Sequence, residues 1–215
     1  MAASTTRERL LDAAERLFAE HGFDATSTRA ITSGAGTNLA SVNYHFGSKE
    51  ALLSAVLARR LSPINEERLA ILTDLENSQE DVQGDLGSIL RAFILPPFRT
   101  TRTWGTAGQA FLKLAGRMHS EPSAAGRGIF LSQFAEVFSR FTAALTRALP
   151  RVPPDELHWR LHFIIGAMAH TLIWQHGPCA DAARHAALDP ETITESLVQF
   201  SLAGLRGTAR GEAQE

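Results

Sequence analysis

The polar side chains best suited to bind another molecule lie in residues 27–49. The stretch 25–49 contains no aspartate or glutamate, but it carries hydroxyl, amide, imidazole and cationic groups. Groups of these types bind phosphate oxygens and base edges in the grooves of DNA. We expect phosphate contacts from Ser27, Thr28, Arg29, His45 and Lys49. We expect Ser41 and Asn43 to read bases, on a face that also holds Asn38, Leu39, Ala40 and Tyr44.

A second candidate site is the pair His158 and His162, which are four residues apart and therefore share one face of a helix. The intervening residues include no glutamate of the HExxH pattern, and no third ligand is evident in the sequence. This favours histidines at a helix interface over a metal site, with His162 near the polar head of a ligand. Since no phosphate-binding loop, dinucleotide fingerprint, nucleophile elbow or paired carboxylates occur, we predict no enzyme, cofactor or metal.

Two short helices, at 27–34 and 38–46, are expected to position the candidate DNA-binding side chains of residues 27–49. Ser27 and Asn38 are their predicted N-caps. Gly36 lies between them and is free to adopt the positive φ that a tight turn requires. The apolar positions expected to join the two helices are Ile31, Ala35, Val42 and Phe46. Two short helices with a glycine-containing turn are typical of a helix-turn-helix.

Apolar residues recur with the period of an α-helix along almost the whole chain, and no segment alternates between apolar and polar residues with period two. The predicted fold class is therefore all-α. Thr5 and Glu8 have the spacing of a capping box for a first helix at 5–21. Ser48 is expected to cap a fourth helix that Pro63 bends or restarts, with a helical stripe resuming at 64–75. The remaining helices are expected at 82–95, which Pro96 and Pro97 would end, and at 104–118, 127–149, 153–176 and 189–206.

These elements predict two domains. Residues 1–48 would form a three-helix helix-turn-helix domain that binds DNA, and residues 49–208 a larger helical domain for ligand binding and dimerisation. The helix that starts at Ser48 would link them, and residues 209–215 would form a flexible tail. Residues 1–60 carry a net charge of +1 and the remainder −3, which places a nucleic-acid surface in the N-terminal part.

Composition excludes several classes of protein. Hydrophobic residues make up 44% of 215, and no apolar run is long enough to span a bilayer. The N-terminus lacks the apolar core of a signal peptide, so we expect a cytoplasmic protein. Cys179 is the single cysteine, which excludes an internal disulfide.

The chain reads AGTNLASVNYHFGSKEAL at 35–52, after GF at 22–23 and STRAI at 27–31. This wording closely resembles the N-terminal domain of TetR-family repressors. Together with PPDELHWRLHF at 153–163, it is similar to the PsrA-type branch, which regulates fatty-acid metabolism. The resemblance implies a homodimeric regulator that binds operator DNA and is released by a small effector. For the PsrA-type branch, the implied effector is a fatty acid or an acyl-CoA.

Aromatic and apolar stripes in the second domain predict where an effector and a second copy would bind. The expected pocket residues are Trp104, Phe111, Met118, Phe134, Phe138 and His162. The expected dimer residues are Trp159, Phe163, Ala167, Ile193, Leu197, Phe200 and Gly204. Core packing within one chain is the alternative for both sets. A helical carrier or sensor of apolar ligands that acts through protein contacts is the alternative function.

Overall fold

A capping box starts the first helix. In the computed structural model, α1 spans Thr6–His21. The Glu8 backbone N–H donates to Thr5 Oγ1 at 3.2 Å, and the Thr5 N–H donates to the Glu8 carboxylate at 2.8 Å. Two helix N-terminal donors are thus satisfied reciprocally, as the spacing of Thr5 and Glu8 predicted.

The structure describes residues 5–78, 85–120, 124–174 and 189–207, and these residues form ten α-helices and no strand. After α1 they are α2 Thr28–Gly34, α3 Ala40–Phe46, α4 Lys49–Asn77, α5 Leu86–Thr103, α6 Gly105–Ser120, α7 Ala124–Ser132, α8 Ala135–Ala148, α9 Pro154–Trp174 and α10 Pro190–Arg206. The all-α prediction is confirmed. Four features named in the sequence analysis lie outside the described residues. They are the predicted helix start at 82, the predicted helix end at 176, Cys179 and the tail at 209–215.

The chain divides into two compact units. Unit 1 comprises residues 1–63 and 104–135, and unit 2 comprises residues 64–103 and 136–215, as far as each is described. The α4 helix therefore contributes residues to both. This division differs from the expected domain boundary at 48, which stays a prediction.

Unit 1 buries one apolar cluster beneath the short helices α2 and α3. The cluster joins the α1 side chains to Ile31 of α2, Val42 of α3 and the first turns of α4, and its α6 members are Phe111, Leu114 and Met118. Ile31 and Val42 are both almost completely buried. Burial of these two side chains holds α2 and α3 against α1.

Unit 2 is built around α5, which packs mainly on α10. Phe93 and Phe98 of α5 are buried, and the Phe93 ring meets the ring of Phe141 from α8 at 5.1 Å between centroids. Asp189 caps α10 by accepting the Thr192 N–H at 2.8 Å, with Pro190 as the first helical residue. The predicted start of the last helix is thus confirmed.

The Pro96 and Pro97 pair does not end a helix at residue 95, contrary to the prediction. Pro63 lies inside α4, and Pro96 and Pro97 are buried inside α5, which continues to Thr103. Pro97 has no N–H to donate to the carbonyl of Phe93, four residues earlier. Instead, Nε of Arg68 donates to that carbonyl at 2.8 Å. A side chain from another helix therefore satisfies the freed acceptor and lets α5 continue.

The single helix expected at 127–149 is two helices. At Gln133 and Phe134 the backbone N–H groups bond to the carbonyls three residues earlier, at 3.2 and 3.1 Å, instead of four. This tighter turn separates α7 from α8. In the part of the chain that the structure describes, no helix combines the length and apolarity needed to cross a membrane.

Candidate nucleic-acid interface

The α2 and α3 helices are joined by a tight turn at residues 35–39. Gly36 adopts φ +61°, as predicted from its position. The Thr37 N–H closes the turn by donating to the Thr32 carbonyl at 2.9 Å. Ser27 caps α2 by accepting the Ala30 N–H at 3.1 Å, which confirms that N-cap.

The start of α3 differs from the prediction. The helix begins at Ala40, and Asn38 makes no N-cap bond. Instead, the Asn38 amide oxygen accepts a hydrogen bond from the Ser41 hydroxyl at 3.0 Å. This bond leaves the amide N–H groups of Asn38 pointing away from Ser41, where they are able to donate to an acceptor outside the chain.

The two sides of α3 have opposite character. Val42 is buried in the core of unit 1, and Phe46 is half-buried. On the other side Leu39 is 59% and Tyr44 85% exposed. Of the remaining residues predicted for DNA, Asn38, Ala40 and Asn43 are exposed, and Ser41 and His45 are half-buried. The helix therefore presents a short polar and aromatic face while its apolar side anchors it.

The two cationic residues predicted to bind phosphate, Arg29 and Lys49, have different surroundings. Arg29 on α2 is exposed, whereas Lys49 at the start of α4 is half-buried. The Lys49 ammonium donates to the carbonyls of Phe23 and Thr26, at 2.9 and 3.0 Å, and lies 4.3 Å from the centroid of the Phe23 ring. Lys49 therefore holds the loop before α2 against α4. Its expected phosphate contact stays a prediction, since one ammonium N–H remains for it.

Two arginines beside the helix-turn-helix were not among the predicted residues. The Arg7 guanidinium lies 5.4 Å from the Phe46 ring centroid, and the Arg9 guanidinium is 3.6 Å from where a Cβ on Gly36 would lie. Both arginines are exposed. A neighbouring cleft of about 270 Å³ is lined by Arg9, Asp12, Ala13, Arg16, Gly34 and Ala35. The capping box indicated where α1 begins, but no sequence signal placed its first turn beside Gly36.

A buried carboxylate ties α1 to α4 in unit 1. Glu15 on α1 is only 3% exposed, and its carboxylate accepts hydrogen bonds from both Arg59 and Arg60, the latter at 2.9 Å. Arg59 also donates to Asp12 at 2.7 Å. Burial alone would lower the pKa of Arg59, but the hydrogen bonds and charges of Glu15 and Asp12 outweigh it and raise that pKa. The network keeps the buried Glu15 carboxylate paired with two partly exposed arginines.

Gly36→Ala is expected to destabilise the protein by about 1–2 kcal/mol, because a residue with a Cβ is strained at positive φ. The added methyl would make only ordinary contacts, so the loss measures backbone strain. Urea unfolding followed by circular dichroism checks this. Gly128→Ala is the control, since that helical glycine has open space around it, and it should stabilise by up to about 1 kcal/mol. Equal stability of the two variants would contradict the strained turn.

Two family models match this chain. One describes bacterial regulatory proteins of the tetR family and matches residues 10–56, which hold the helix-turn-helix. The other describes the C-terminal domain of tetracyclin repressor-like proteins and matches residues 91–204, more than half of the chain. This chain belongs to the TetR family of transcriptional regulators. The residues 10–56 that the first model matches include both α2 and α3.

Individual relatives agree with this family. UidR of Escherichia coli (strain K12), an HTH-type transcriptional regulator, is 40% identical over 55 residues, which are 26% of this chain and 28% of UidR. This chain thus matches little more than a quarter of UidR. The HTH-type transcriptional repressor Rv1474c of Mycobacterium tuberculosis is 27% identical over 172 residues, 75% of this chain and 79% of the repressor.

Solved structures show the same fold. The fatty acid degradation regulator FadR from Bacillus halodurans superimposes with a TM-score of 0.64 at 13% identity, covering 96% of this chain and 99% of FadR. At this identity the likeness establishes the TetR-family fold alone.

The six residues predicted for an effector pocket have different surroundings. Trp104, Phe111, Met118 and Phe134 belong to unit 1, and Phe138 and His162 to unit 2. Phe111 and Met118 are 3% and 1% exposed and belong to the apolar core of unit 1, and their pocket roles stay predictions. The apolar stripe on α6 is a packing face. The pocket roles of Trp104, Phe134 and Phe138, all half-buried, stay predictions.

His162 lies on the exposed surface of α9. Its Nδ1 is 3.1 Å from the His158 carbonyl oxygen, and the two imidazole rings are 4.4 Å apart. The His162 side chain faces solvent in the isolated chain, and its expected place beside a ligand head group stays a prediction. Among the residues that the structure describes, no group of three His, Cys, Asp or Glu side chains is placed to hold a metal ion.

Three of the predicted dimer residues are exposed aromatic side chains of unit 2. Trp159, Phe163 and Phe200 are 60%, 67% and 66% exposed, and the Trp159 and Phe163 rings stack at 6.4 Å. Gly204 is also exposed, and Ala167 and Ile193 are half-buried. Leu197 is buried within its own chain, and its role at a dimer interface stays a prediction.

Proposed function

We propose that this TetR-family regulator is a cytoplasmic repressor that binds a near-palindromic operator as a homodimer and leaves it when a small acyl-type effector binds. The observation that carries the proposal is the exposed face of α3. Tyr44 is 85% exposed on that face although Val42, two residues earlier, is buried. The helix is thus held rigidly by one side and offers the other to a partner.

The dimensions and chemistry of α3 suit the major groove. That groove admits an α-helix, and its base edges present hydrogen-bond acceptors and donors to Asn and Ser side chains. Small Ala40 at the start of α3 allows close approach, with Ser41 and Asn43 as base readers. Arg29 is exposed beside them and is suited to phosphate, together with Arg7 and Arg9.

The exposed rings on α9 and α10 support a homodimer. Exposed aromatic rings such as the stacked Trp159 and Phe163 are costly to leave in water and are typical of an interface. A two-fold dimer would carry two copies of α3, which reach successive major grooves when they are about 34–36 Å apart. A near-palindromic operator follows from this symmetry.

The acyl-type effector is supported by the relatives and by the predicted apolar stripes. FadR, a similar structure, is named as a regulator of fatty acid degradation. The α4 helix has residues in both units, and its Leu52 and Leu53 share a core cluster with Val42 of α3. An effector that shifts α4 would therefore move α3, provided that it binds the two arrangements with different affinity.

Two substitutions separate base reading from phosphate binding. Asn43→Ala is expected to change the preference at one base pair by about 1–3 kcal/mol. Arg29→Ala is expected to weaken binding to all sequences alike and to reduce the slope of log affinity against log salt by about 1. Fluorescence anisotropy with an operator and its single-base variants, at several salt concentrations, measures both. Equal losses that do not depend on sequence would show that Asn43 reads no base.

Native mass spectrometry of the gently purified full chain tests the assembly and the ligand together. We expect a species of twice the 23.4 kDa chain mass, a fraction of which retains a small molecule that solvent extraction identifies as an acyl compound. A single chain at micromolar concentration would contradict the proposed dimer. A retained polar metabolite would contradict the effector class and leave the DNA-binding role standing.

A further inference from the structure

Arg68 of α4 is a cation buried in unit 2. It is 2% exposed, and three neutral groups accept its hydrogen bonds: the Phe93 carbonyl at 2.8 Å, the Asn65 amide oxygen at 3.2 Å and the Met168 sulfur at 3.5 Å. Its guanidinium also lies 4.5 Å from the Phe93 ring centroid. No carboxylate among the described residues lies within ion-pair distance of it. Within the described part of the chain, the buried positive charge therefore has no counter-ion.

One hydrogen bond of Arg68 supports α5 and its charge lies against the Phe93 ring, but no carboxylate of the described residues pairs with that charge. Nε of Arg68 satisfies the Phe93 carbonyl that Pro97 leaves without a donor. A neutral donor would do the same, and the guanidinium has five N–H groups. Burial lowers the pKa of Arg68 to about 9, so the group still carries its charge at neutral pH. A buried unpaired ion is unfavourable unless something else compensates it.

The third partner is the one most easily replaced. A thioether sulfur is a weak acceptor, and the unbranched Met168 side chain has three rotatable bonds. Rotation of Met168 would free Nη2 for a stronger acceptor. A carboxylate is the acceptor that fits best, since its two oxygens match the paired N–H groups of a guanidinium.

We propose that Arg68 binds the carboxylate of the effector, whose apolar body packs among the side chains of unit 2. The effector is then an amphipathic carboxylate, and a neutral ester or alcohol of the same length is a poor substitute. The inference rests on the effector-binding role proposed above, and it adds the charge of the ligand and the residue that recognises it.

Binding of decanoate, 1-decanol and methyl decanoate to the wild-type full chain, without DNA, tests the proposal by isothermal titration calorimetry. We expect decanoate to bind about ten- to a hundredfold more tightly than either neutral probe, because a hydrogen bond between charged groups adds about this factor to the affinity. In Arg68→Met this preference should vanish, and in Arg68→Lys it should persist in part. Arg91→Met is the matched control, because Arg91 is an exposed arginine of unit 2 paired with Glu195, and it should keep the full preference.

Equal affinity of the wild-type chain for decanoate and decanol overturns the proposal, even if Arg68→Met does not fold. So does a preference for decanoate that Arg68→Met retains, or no binding of saturated carboxylates from eight to sixteen carbons. A lower thermal stability of ligand-free Arg68→Met together with an unchanged preference would mean that Arg68 only serves the Phe93 carbonyl. The proposed repressor role fails in a different way. Decanoate would then bind in a manner that depends on Arg68, but its binding would not release DNA.

Discussion

Glu15→Ala is expected to destabilise unit 1 by about 3 kcal/mol, because it leaves Arg59 and Arg60 without their shared buried partner. The two arginine side chains are 27% and 18% exposed, so water compensates part of the loss. The expected destabilisation is therefore at the lower end of the range for breaking a buried ion pair. Since Glu15 joins α1 to α4, we also expect operator binding to be lost near the unfolding midpoint of the variant. Urea unfolding monitored by circular dichroism measures the loss.

Asp12→Ala is the matched control for Glu15→Ala. Asp12 accepts a hydrogen bond from the same Arg59, but its side chain is 67% exposed. An exposed ion pair contributes about 1 kcal/mol or less, so this variant should unfold close to wild type. If the two variants lose the same stability, burial of the Glu15 carboxylate does not govern the network.

Phe163→Glu is expected to raise the dissociation constant of the dimer by roughly a thousandfold. A central aromatic residue at an interface contributes about 2 kcal/mol or more to the binding free energy. In a two-fold dimer the substitution is present in both chains, so the loss occurs twice. The resulting loss of about 4 kcal/mol corresponds to three orders of magnitude. Operator affinity should fall with it, because each chain would then hold a single half-site. Sedimentation equilibrium over a range of concentrations measures the dissociation constant.

Leu131→Glu provides the control for Phe163→Glu. Leu131 is also an exposed apolar side chain, at 48%, but it lies on α7 in unit 1 and not with the rings of α9. A glutamate there should leave the dimer intact. A Phe163→Glu variant that remains as dimeric as Leu131→Glu would contradict the assignment of the α9 surface.

Local sequence rules predicted the features that depend on neighbouring residues. The capping box of Thr5 and Glu8, the cap at Ser27 and the positive φ of Gly36 each depend on a few consecutive residues, and each is confirmed. The inner positions Ile31 and Val42 also followed from helical period. A short range of chain therefore sufficed to predict the helix-turn-helix and the family.

Tertiary contacts account for what the sequence could not predict. The Pro96 and Pro97 pair was expected to end a helix, but Arg68, far away in sequence, satisfies the carbonyl that Pro97 leaves free. Lys49 has the position of a phosphate ligand, yet two carbonyls from the loop before α2 hold its ammonium. Phe111 and Met118 show a third limit, because an apolar stripe has the same pattern whether it faces a core or a pocket.

Selection from a pool of random duplex DNA by the purified wild-type chain tests whether this protein is a dimeric regulator that reads DNA through α3. We expect enrichment of a near-palindrome whose half-sites are centred about one helical turn apart or somewhat more. An Asn43→Ala protein should enrich a palindrome altered at the same position in each half-site. Binding that enriches no sequence, or a single half-site without symmetry, would contradict a dimeric operator-binding regulator that reads DNA through α3.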